Sequence, residues 1–401
     1  MKIVEINGTN YSSTGNIMLN IASEARKQGF DVFTCSKNSK KANEFKYDNH
    51  IFIGSRLERV LCEELAYLSG YQNYFNYFGT KAFIQKLKEI KPDLIHMHIM
   101  HDTYINLRML FDYIKENNIP IVWTFHDCWA FTGRCPYFDN AKCDKWKSEC
   151  FECPQLDKYP QTKVDKSKLL WNKKKKWFTG IKNMTIVTPS KWLSGFIKDS
   201  YLNEYQTKVI RNGINLDVFK PVDSDFKKEH NILDKHMILG VGYNWAPRKG
   251  LNDFIELSKK LPSNYQIVLI GTNDEIDKKL PENIISIHRT YNVQELVKIY
   301  SAADVFVNPT YEDNFPTVNI ESLACGTPVL TYETGGSPEA IDEKCGSVIS
   351  KGNIEALEKE ITRVCQENAY SKQDCINRSE EFDATNKYNE YVELYKEILN
   401  K

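Results

Sequence analysis

The sequence predicts an α/β protein built from two doubly wound parallel domains. Three observations carry this. Short apolar strand patterns alternate with helical patterns along the chain. At 401 residues the chain is too long for one ordinary core. The alternation also breaks once, at Arg211-Asn212-Gly213-Ile214-Asn215-Leu216-Asp217-Val218-Phe219-Lys220-Pro221, and then restarts.

Taken in order, Lys2–Ile6 reads as a strand. Ile17–Gln28 carries a helical period that Gly29 ends. Asp31–Cys35 and His50–Ile53 are short apolar strands, and Leu57–Leu68 and Lys81–Ile90 space their apolar residues as helices do. Asp93–His98 and Ile119–Phe125 are strands with a helix, Ile105–Asn117, between them. Met184–Thr188 and Lys208–Ile210 complete a first sheet. After the break come strand Met237–Val241, helix Leu251–Leu261, strand Gln266–Ile270 and helix Val293–Ser301. Strand Asp304–Asn308, helix Phe315–Ala324 and strand Pro328–Tyr332 follow. The expected division is residues 1–212, 213–380 and a C-terminal segment 381–401, with a Cys-rich insertion at about 128–160. Two Rossmann-like domains facing across a cleft are the expected result, with ligands outside the carboxyl ends of the strands.

Composition narrows the function. With 41% apolar and 26% charged residues the chain is ordinary for a globular protein. Its net charge of zero argues against general nucleic-acid binding. No stretch reaches the roughly 18 apolar residues of a membrane span. Met1-Lys2-Ile3-Val4-Glu5-Ile6 reads as a strand rather than a signal peptide, so a cytoplasmic location is expected. The eleven cysteines are then thiols or metal ligands. Charge is uneven: Lys142–Lys191 holds thirteen Lys against five Asp or Glu. Lys173–Lys176 lies between Trp171 and Trp177-Phe178, a mixture that suits an anionic membrane surface on the inner face of the cell membrane. A solvated helix face is the competing reading.

The densest chemistry runs from Asn308 to Glu339. A strand end leads into an acidic loop and then a helix start at Phe315-Pro316, since Pro suits a first turn. Free N–H groups and the positive end of the helix dipole favour phosphate there. Asp313 and Glu321 stand eight positions apart around this start. Upstream, Gly242-Tyr243-Asn244-Trp245-Ala246-Pro247-Arg248-Lys249-Gly250 follows the first strand of the second half and sets two cations side by side. The loop Asn7–Asn16 after the first strand contains Gly8 and Gly15, where backbone can approach a ligand. Thr124-Phe125-His126-Asp127-Cys128-Trp129 places a polar pair at the end of a buried strand. His96 and His98 share one sheet face near His101; packing is favoured over metal binding there. Finally, Cys135, Cys143, Cys150 and Cys153 lie in a turn-rich loop just after Cys128 and end in a Cys-x2-Cys knuckle. Four thiolates would close a structural zinc site; an iron–sulfur cluster and free thiols are the alternatives.

In order and spacing, these motifs resemble the retaining glycosyltransferases of family four, which have the two-domain GT-B fold. The resemblance covers nearly the whole chain. It implies a sugar transferred from a nucleotide-diphosphate sugar, UDP in preference to GDP, to a glycan or polyprenyl-linked acceptor. The subgroup resembled builds capsular, exopolysaccharide or O-antigen units. By register it assigns Asp313 a place near the transferred sugar, Glu321 the ribose hydroxyls, and Asn314, Phe315, Pro316 and Thr317 the distal phosphate or sugar. Lys249 and Arg248 become the diphosphate clamp, Gly15 lies in the loop flanking the diphosphate, and His126 contacts the donor sugar. Arg211–Pro221 matches the interdomain crossing, and Tyr388–Leu399 is expected to return to the first domain. Two positions depart from the pattern: Tyr243 stands where Arg is usual, and Asp313 where Glu is usual. Cations take the place of a catalytic divalent metal, and same-face attack leaves no nucleophile to assign. The rival readings are a nucleotide-sugar epimerase on the same scaffold and an inactive nucleotide-sugar-binding homologue.

Overall fold

The computed structural model describes residues 1–243 and 245–400, so Asn244 of the clamp motif lies outside the described residues. The chain divides into two compact units, Met1–Ile210 with the segment from Tyr388 onward, and Arg211–Lys387.

The first unit holds seven strands: β1 Lys2–Asn7, β2 Asp31–Lys37, β3 His50–Ile53, β4 Leu94–Met97, β5 Ile121–Thr124, β6 Met184–Thr188 and β7 Gln206–Val209. They are ordered β3-β2-β1-β4-β5-β6-β7, and every neighbouring pair is parallel. The second unit holds β8 His236–Val241, β9 Tyr265–Ile270, β10 Ile284–Ile287, β11 Val305–Asn308, β12 Val329–Tyr332 and β13 Gly346–Ile349. Their order is β10-β9-β8-β11-β12-β13, again all parallel. In both sheets the order reverses beside the first strand of the unit, the switch point where open parallel sheets place ligands.

Central strands read as continuous apolar runs because helices cover both faces. β4, β5, β6, β9, β11 and β12 are buried at every position. The edge strands β10 and β13 are half-buried, and their mixed sequences, Ile-Ile-Ser-Ile and Gly-Ser-Val-Ile, lack that signal. This is why the sequence pattern did not show them.

Two helices correct the sequence reading. The helix expected from Ile17 begins at Ser12, so Gly15 lies inside it. The lysine run forms the helix Ser167–Phe178, but its aromatic flanks do not face outward. Trp171, Trp177 and Phe178 belong to the core, and Lys174 is buried with its Nζ donating to the Trp129 carbonyl at 2.5 Å and lying 3.5 Å from the centre of that ring. The helical period turns Lys174 inward with the aromatics and leaves Lys175 and Lys176 outside. The aromatic anchors assigned to a membrane surface are therefore core residues.

The last helix, Ala384–Leu399, buries Tyr388, Tyr391 and Tyr395. Within the first unit Tyr395 packs edge-on against Phe30 and bonds His96 Nδ1 at 2.5 Å. Gln28 donates to Asn389 at 2.6 Å, and Lys208 pairs with Glu397 at 2.5 Å. The scattered cysteines Cys35, Cys62, Cys325, Cys345, Cys365 and Cys375 are all buried.

Candidate functional site

In the second unit, the residues after β11 and the turn after β8 meet. Lys249 Nζ bonds Asp313 Oδ2 at 2.5 Å, and Arg248 lies 3.9 Å from the same oxygen while donating to the Glu312 carbonyl at 2.7 Å. The Tyr311 N–H donates to the Arg248 carbonyl at 2.7 Å, which ties the two segments together. Burial alone would raise the Asp313 pKa, but Lys249 and Arg248 outweigh it and hold the carboxylate below its usual range. Three groups singled out by motif are thus one charge cluster. Behind it, Gly335 has φ +56, and a Cβ there would meet the Asp313 carbonyl oxygen at 1.7 Å. Only glycine lets the two loops lie this close.

The helix after this loop runs Thr317–Ala324, with Pro316 as its N-cap rather than in its first turn. Glu321 therefore stands little more than one turn in, closer to the helix start than the sequence implied. Asn314, Phe315 and Pro316 are buried, and the Asn314 N–H donates to Asp313 Oδ1 at 2.9 Å. Tyr300 OH donates to Glu321 Oε2 at 3.2 Å, and burial raises the carboxyl's pKa. The motifs did not single out Tyr300, Asn319 or Ser337, yet all three hold the site. Asn319 accepts from Asn308 Nδ2 at 2.8 Å and donates to Ser337 Oγ at 2.9 Å. Thr331 Oγ1 lies 2.7 Å from Ser337 Oγ. This buried network fixes the helix start against β11 and β12. No spacing or motif signal marked Asn319 among the other polar residues of its helix, Thr317, Glu321 and Ser322.

In the first unit, the polar groups gather where β1, β4 and β5 end. His126 Nε2 lies 3.1 Å from His98 Nδ1, with the rings stacked. Next to it, His101 is held between two carboxylates, Asp127 at 2.9 Å and Asp102 at 3.3 Å. Lys37 pairs with Asp102 at 2.9 Å, and Tyr159 OH bonds both His101 and Asp102. The two kinds of histidine titrate in opposite directions. Burial pulls His126 down to about 4, so it is neutral. Burial also acts downward on His101, but Asp127 and Asp102 outweigh it and carry it up to about 9. Gly15 packs on its own loop: a Cβ would meet the Asn10 carbonyl carbon at 3.0 Å and the Thr9 oxygen at 3.1 Å.

The cysteine loop surrounds Cys135 and Cys150, which are buried, while Cys143 and Cys153 are half-buried. The Gly133 N–H donates to Cys150 Sγ at 3.1 Å, and Arg134 lies 3.9 Å from Cys153 Sγ. Burial pushes the Cys135 thiol up to about 12 and the Cys150 thiol up to about 11, with neighbouring cysteines adding to each. The four sulfurs are not drawn into a closed site. Among the described residues, three ligand-type atoms come within 4.8 Å of one another only at Glu5, His96 and His98. There, both His96 ring nitrogens already bond hydroxyls, Tyr395 at 2.5 Å and Thr124 at 2.8 Å.

The charge on His101 has a consequence for stability. Unfolded histidine releases its proton near 6.5, whereas folded His101 keeps it to about 9. The stabilisation is therefore fully present below about pH 6.5 and lost as pH rises through 9. Its full size is about 3 kcal/mol. Urea unfolding at pH 6.5 and pH 9.5 should show the gap between wild type and His101→Gln closing by about that amount. An equal gap at both pH values would show that His101 carries no extra proton when folded.

Residues 14–218 match the model of glycosyltransferase family 4, and residues 222–382 match that of the group 1 glycosyl transferases. WcaC of Escherichia coli K12, a glycosyl transferase named for colanic acid biosynthesis, is 22% identical over 66% of this chain and 65% of its own length. The N,N'-diacetylbacillosaminyl-diphospho-undecaprenol alpha-1,3-N-acetylgalactosaminyltransferase of Campylobacter jejuni is 26% identical over 51% of this chain and 58% of its own. The chain thus spans less than two thirds of the length of these relatives. Among solved structures, a sucrose-phosphate synthase from Thermosynechococcus elongatus superimposes with TM-score 0.76 at 18% identity, covering 100% of this chain and 99% of that one. HepE of Anabaena, solved with UDP-glucose, gives TM-score 0.71 at 14% identity over 99% of this chain and 100% of that one. Two parallel-sheet units, a cation-clamped carboxylate at a helix start and both family matches agree: the chain belongs to glycosyltransferase family 4 and has the GT-B fold.

Proposed function

We propose that the protein transfers a sugar, with retention, from a nucleoside-diphosphate sugar to a glycan or polyprenyl-linked acceptor in surface-polysaccharide assembly. The cluster of Lys249, Arg248 and Asp313 beside the helix start at Thr317 carries this reading. A diphosphate leaving group gains negative charge as the sugar departs, and cations and helix N–H groups stabilise it without a metal. Glu321 accepts the ribose hydroxyls, Asn314–Thr317 bind the distal phosphate or sugar, and His126 contacts the donor sugar. Bound diphosphate competes with Asp313 for Lys249, so the ion pair exchanges when the donor enters. HepE was solved with UDP-glucose, which favours UDP over GDP here. The acceptor class follows the relatives, one of which is named for an undecaprenol-linked sugar.

Calorimetry with UDP and UDP-glucose tests the donor site. Glu321→Ala should weaken nucleotide binding on the order of tenfold, the loss of one charge-assisted hydrogen bond. Lys249→Ala should reduce transfer more than binding. Unchanged nucleotide affinity in the Glu321 variant would refute the ribose assignment.

Cys135, Cys143, Cys150 and Cys153 are the candidate ligands of a structural zinc. The residue types suit zinc, and Gly133 N–H and Arg134 supply hydrogen bonds to two of the sulfurs, but the four sulfurs are not gathered as a closed site would require, so zinc binding would have to draw the loop together. Zinc would lock a loop of little regular structure and take no part in transfer. Elemental analysis should find one zinc per chain, reduced by Cys150→Ser, and brief chelation should leave turnover intact. Metal-free reduced protein, or activity restored only by magnesium or manganese, would overturn these assignments in turn.

Among the described residues no helix is long and apolar enough to cross a membrane. Surface docking is better supported at the helix Arg56–Ser69 than at the lysine run. Leu57, Val60, Leu61, Leu65 and Leu68 form an exposed stripe along it, with Leu57 72% exposed. Phe78 is 77% exposed at the start of the next helix, whose N–H groups Glu58 caps. Lys163 and Lys166 lie over the neighbouring Tyr67 and Tyr71 rings. Glu64 is exposed on the same face and acts against anionic lipid, so the aliphatic stripe, with lysine and tyrosine beside it, suits a bilayer surface mainly through its apolar side chains. In liposome flotation, replacing Leu57, Leu61 and Leu65 by Ser should abolish recovery on anionic vesicles. Recovery equal to wild type would remove this surface from the proposal.

A further inference from the structure

Behind His126 lies a file of buried groups that donor binding does not use. Glu5, in the middle of β1, is completely buried, as is His96, and His98 nearly so. His98 Nδ1 lies 3.1 Å from His126 Nε2. On its other side, His98 Nε2 faces Glu5 Oε2 at 3.6 Å, and neither atom has a hydrogen-bond partner. Glu5 Oε1 accepts from Tyr395 OH at 3.4 Å. His126 is half-buried, and its Nδ1 makes no hydrogen bond among the described residues. Three side chains thus stand in line, carboxyl to imidazole to imidazole, with one free nitrogen at the far end.

We propose that Glu5 and His98 are positioning residues that set the hydrogen-bond polarity of His126, presenting its Nδ1 as a donor to an oxygen of the bound substrate. The proposal rests on the reading of His126 as a donor-sugar contact. A neutral imidazole carries one N–H and one acceptor nitrogen, so fixing one end of such a file fixes the other. If Glu5 is a carboxylic acid, its O–H is donated to His98 Nε2. His98 then carries its proton on Nδ1 and donates it to His126 Nε2, and His126 in turn keeps its proton on Nδ1. An ionised Glu5 reverses every step and leaves His126 Nδ1 an acceptor.

Surroundings choose between the two. Burial raises Glu5 well above the usual carboxylate range, although Arg26 and Tyr395 act the other way. Burial lowers His98, and the neighbouring imidazoles His96 and His126 add to this. The other titratable groups around the file are Cys35, His101, Asp127 and Tyr391. Neutral groups throughout are the cheapest state of a file sealed from water. The orphaned pair gains most from closing the small gap between them, because each buried polar atom left unpaired carries its full desolvation cost. A neutral donor at Nδ1 suits a sugar hydroxyl or a developing negative oxygen; it would not serve as a base.

Histidine tautomers are read directly from two-bond ¹H–¹⁵N correlation spectra of the full-length, ¹⁵N-histidine-labelled protein at pH 7. His98 and His126 should both carry the proton on Nδ1. Glu5→Gln offers an amide N–H in place of the carboxyl O–H and should preserve both tautomers and turnover. Glu5→Met removes the donor, so His126 should shift toward the Nε2–H form and kcat should fall on the order of tenfold with little change in donor KM. A wild-type His126 protonated on Nε2, a doubly protonated His98, or a His126 tautomer unmoved by Glu5→Met would overturn the proposal. Should Glu5→Met fail to fold, the wild-type and Glu5→Gln spectra still decide. His126→Ala separates the two levels: full transfer activity in that variant, with the tautomers as stated, removes the sugar-contact reading and leaves the file of protons standing.

Discussion

A parallel sheet covered on both faces opens to ligands only where its strands stop. Both units obey this constraint, and the candidate sites follow from it. In the second unit the polar residues begin at Asn308, the last residue of β11, and at the turn beyond Val241 of β8. In the first they begin where β1, β4 and β5 end, at Asn7, His98 and His126. The loops leaving these ends are held by hydrogen bonds to one another, such as the Ile99 N–H to Asn7 Oδ1 at 3.1 Å. Rigid strands aim the groups, and the loops differ in chemistry.

Burial sorts the ionisable groups at these ends into two kinds. Where an opposite charge is at hand, the group stays charged: Asp313 beside Lys249, and His101 between Asp127 and Asp102. Where none is, the group is neutral: His96, His98 and His126 are all lowered by burial. His101 and His126 are both near Asp127, yet only His101 bonds it directly. Direct bonds to Asp127 at 2.9 Å and to Asp102 at 3.3 Å therefore separate a fixed cation from a neutral ring.

Much of this was legible in the sequence because the signals were local. Apolar runs marked the central strands, and the break at Arg211–Pro221 falls where the compact units divide at Arg211. Motif register singled out Lys249, Arg248 and Asp313 for separate roles, and the fold joins them in one charge cluster. What register missed depends on tertiary context. The edge strands β10 and β13 have one face in water and so lack a continuous apolar run. Tyr300 and Ser337 reach the site from other elements, and no spacing rule links them to Glu321 or Asn319. Glu5 is hidden in plain view, a carboxylate in a strand that alternation would have turned toward solvent had one face been open.

The lysine run shows the same limit from the other side. Four adjacent lysines look like a surface, but a helix points every fourth residue the same way. Lys174 shares the inward face with Trp171, Trp177 and Phe178, where burial pulls it down to about 7. Its Nζ bonds the Trp129 carbonyl, and Arg134, also buried, donates to the Gln155 and Pro160 carbonyls. An insertion with only single turns of helix has many backbone carbonyls and few ladders to satisfy them. Two long cations reaching inward do that job. Both also lie beside the cysteine loop, Arg134 at 3.9 Å from Cys153 Sγ and Lys174 next to Cys135 and Cys150, so the groups that fasten the insertion to the sheet also set the surroundings of its thiols.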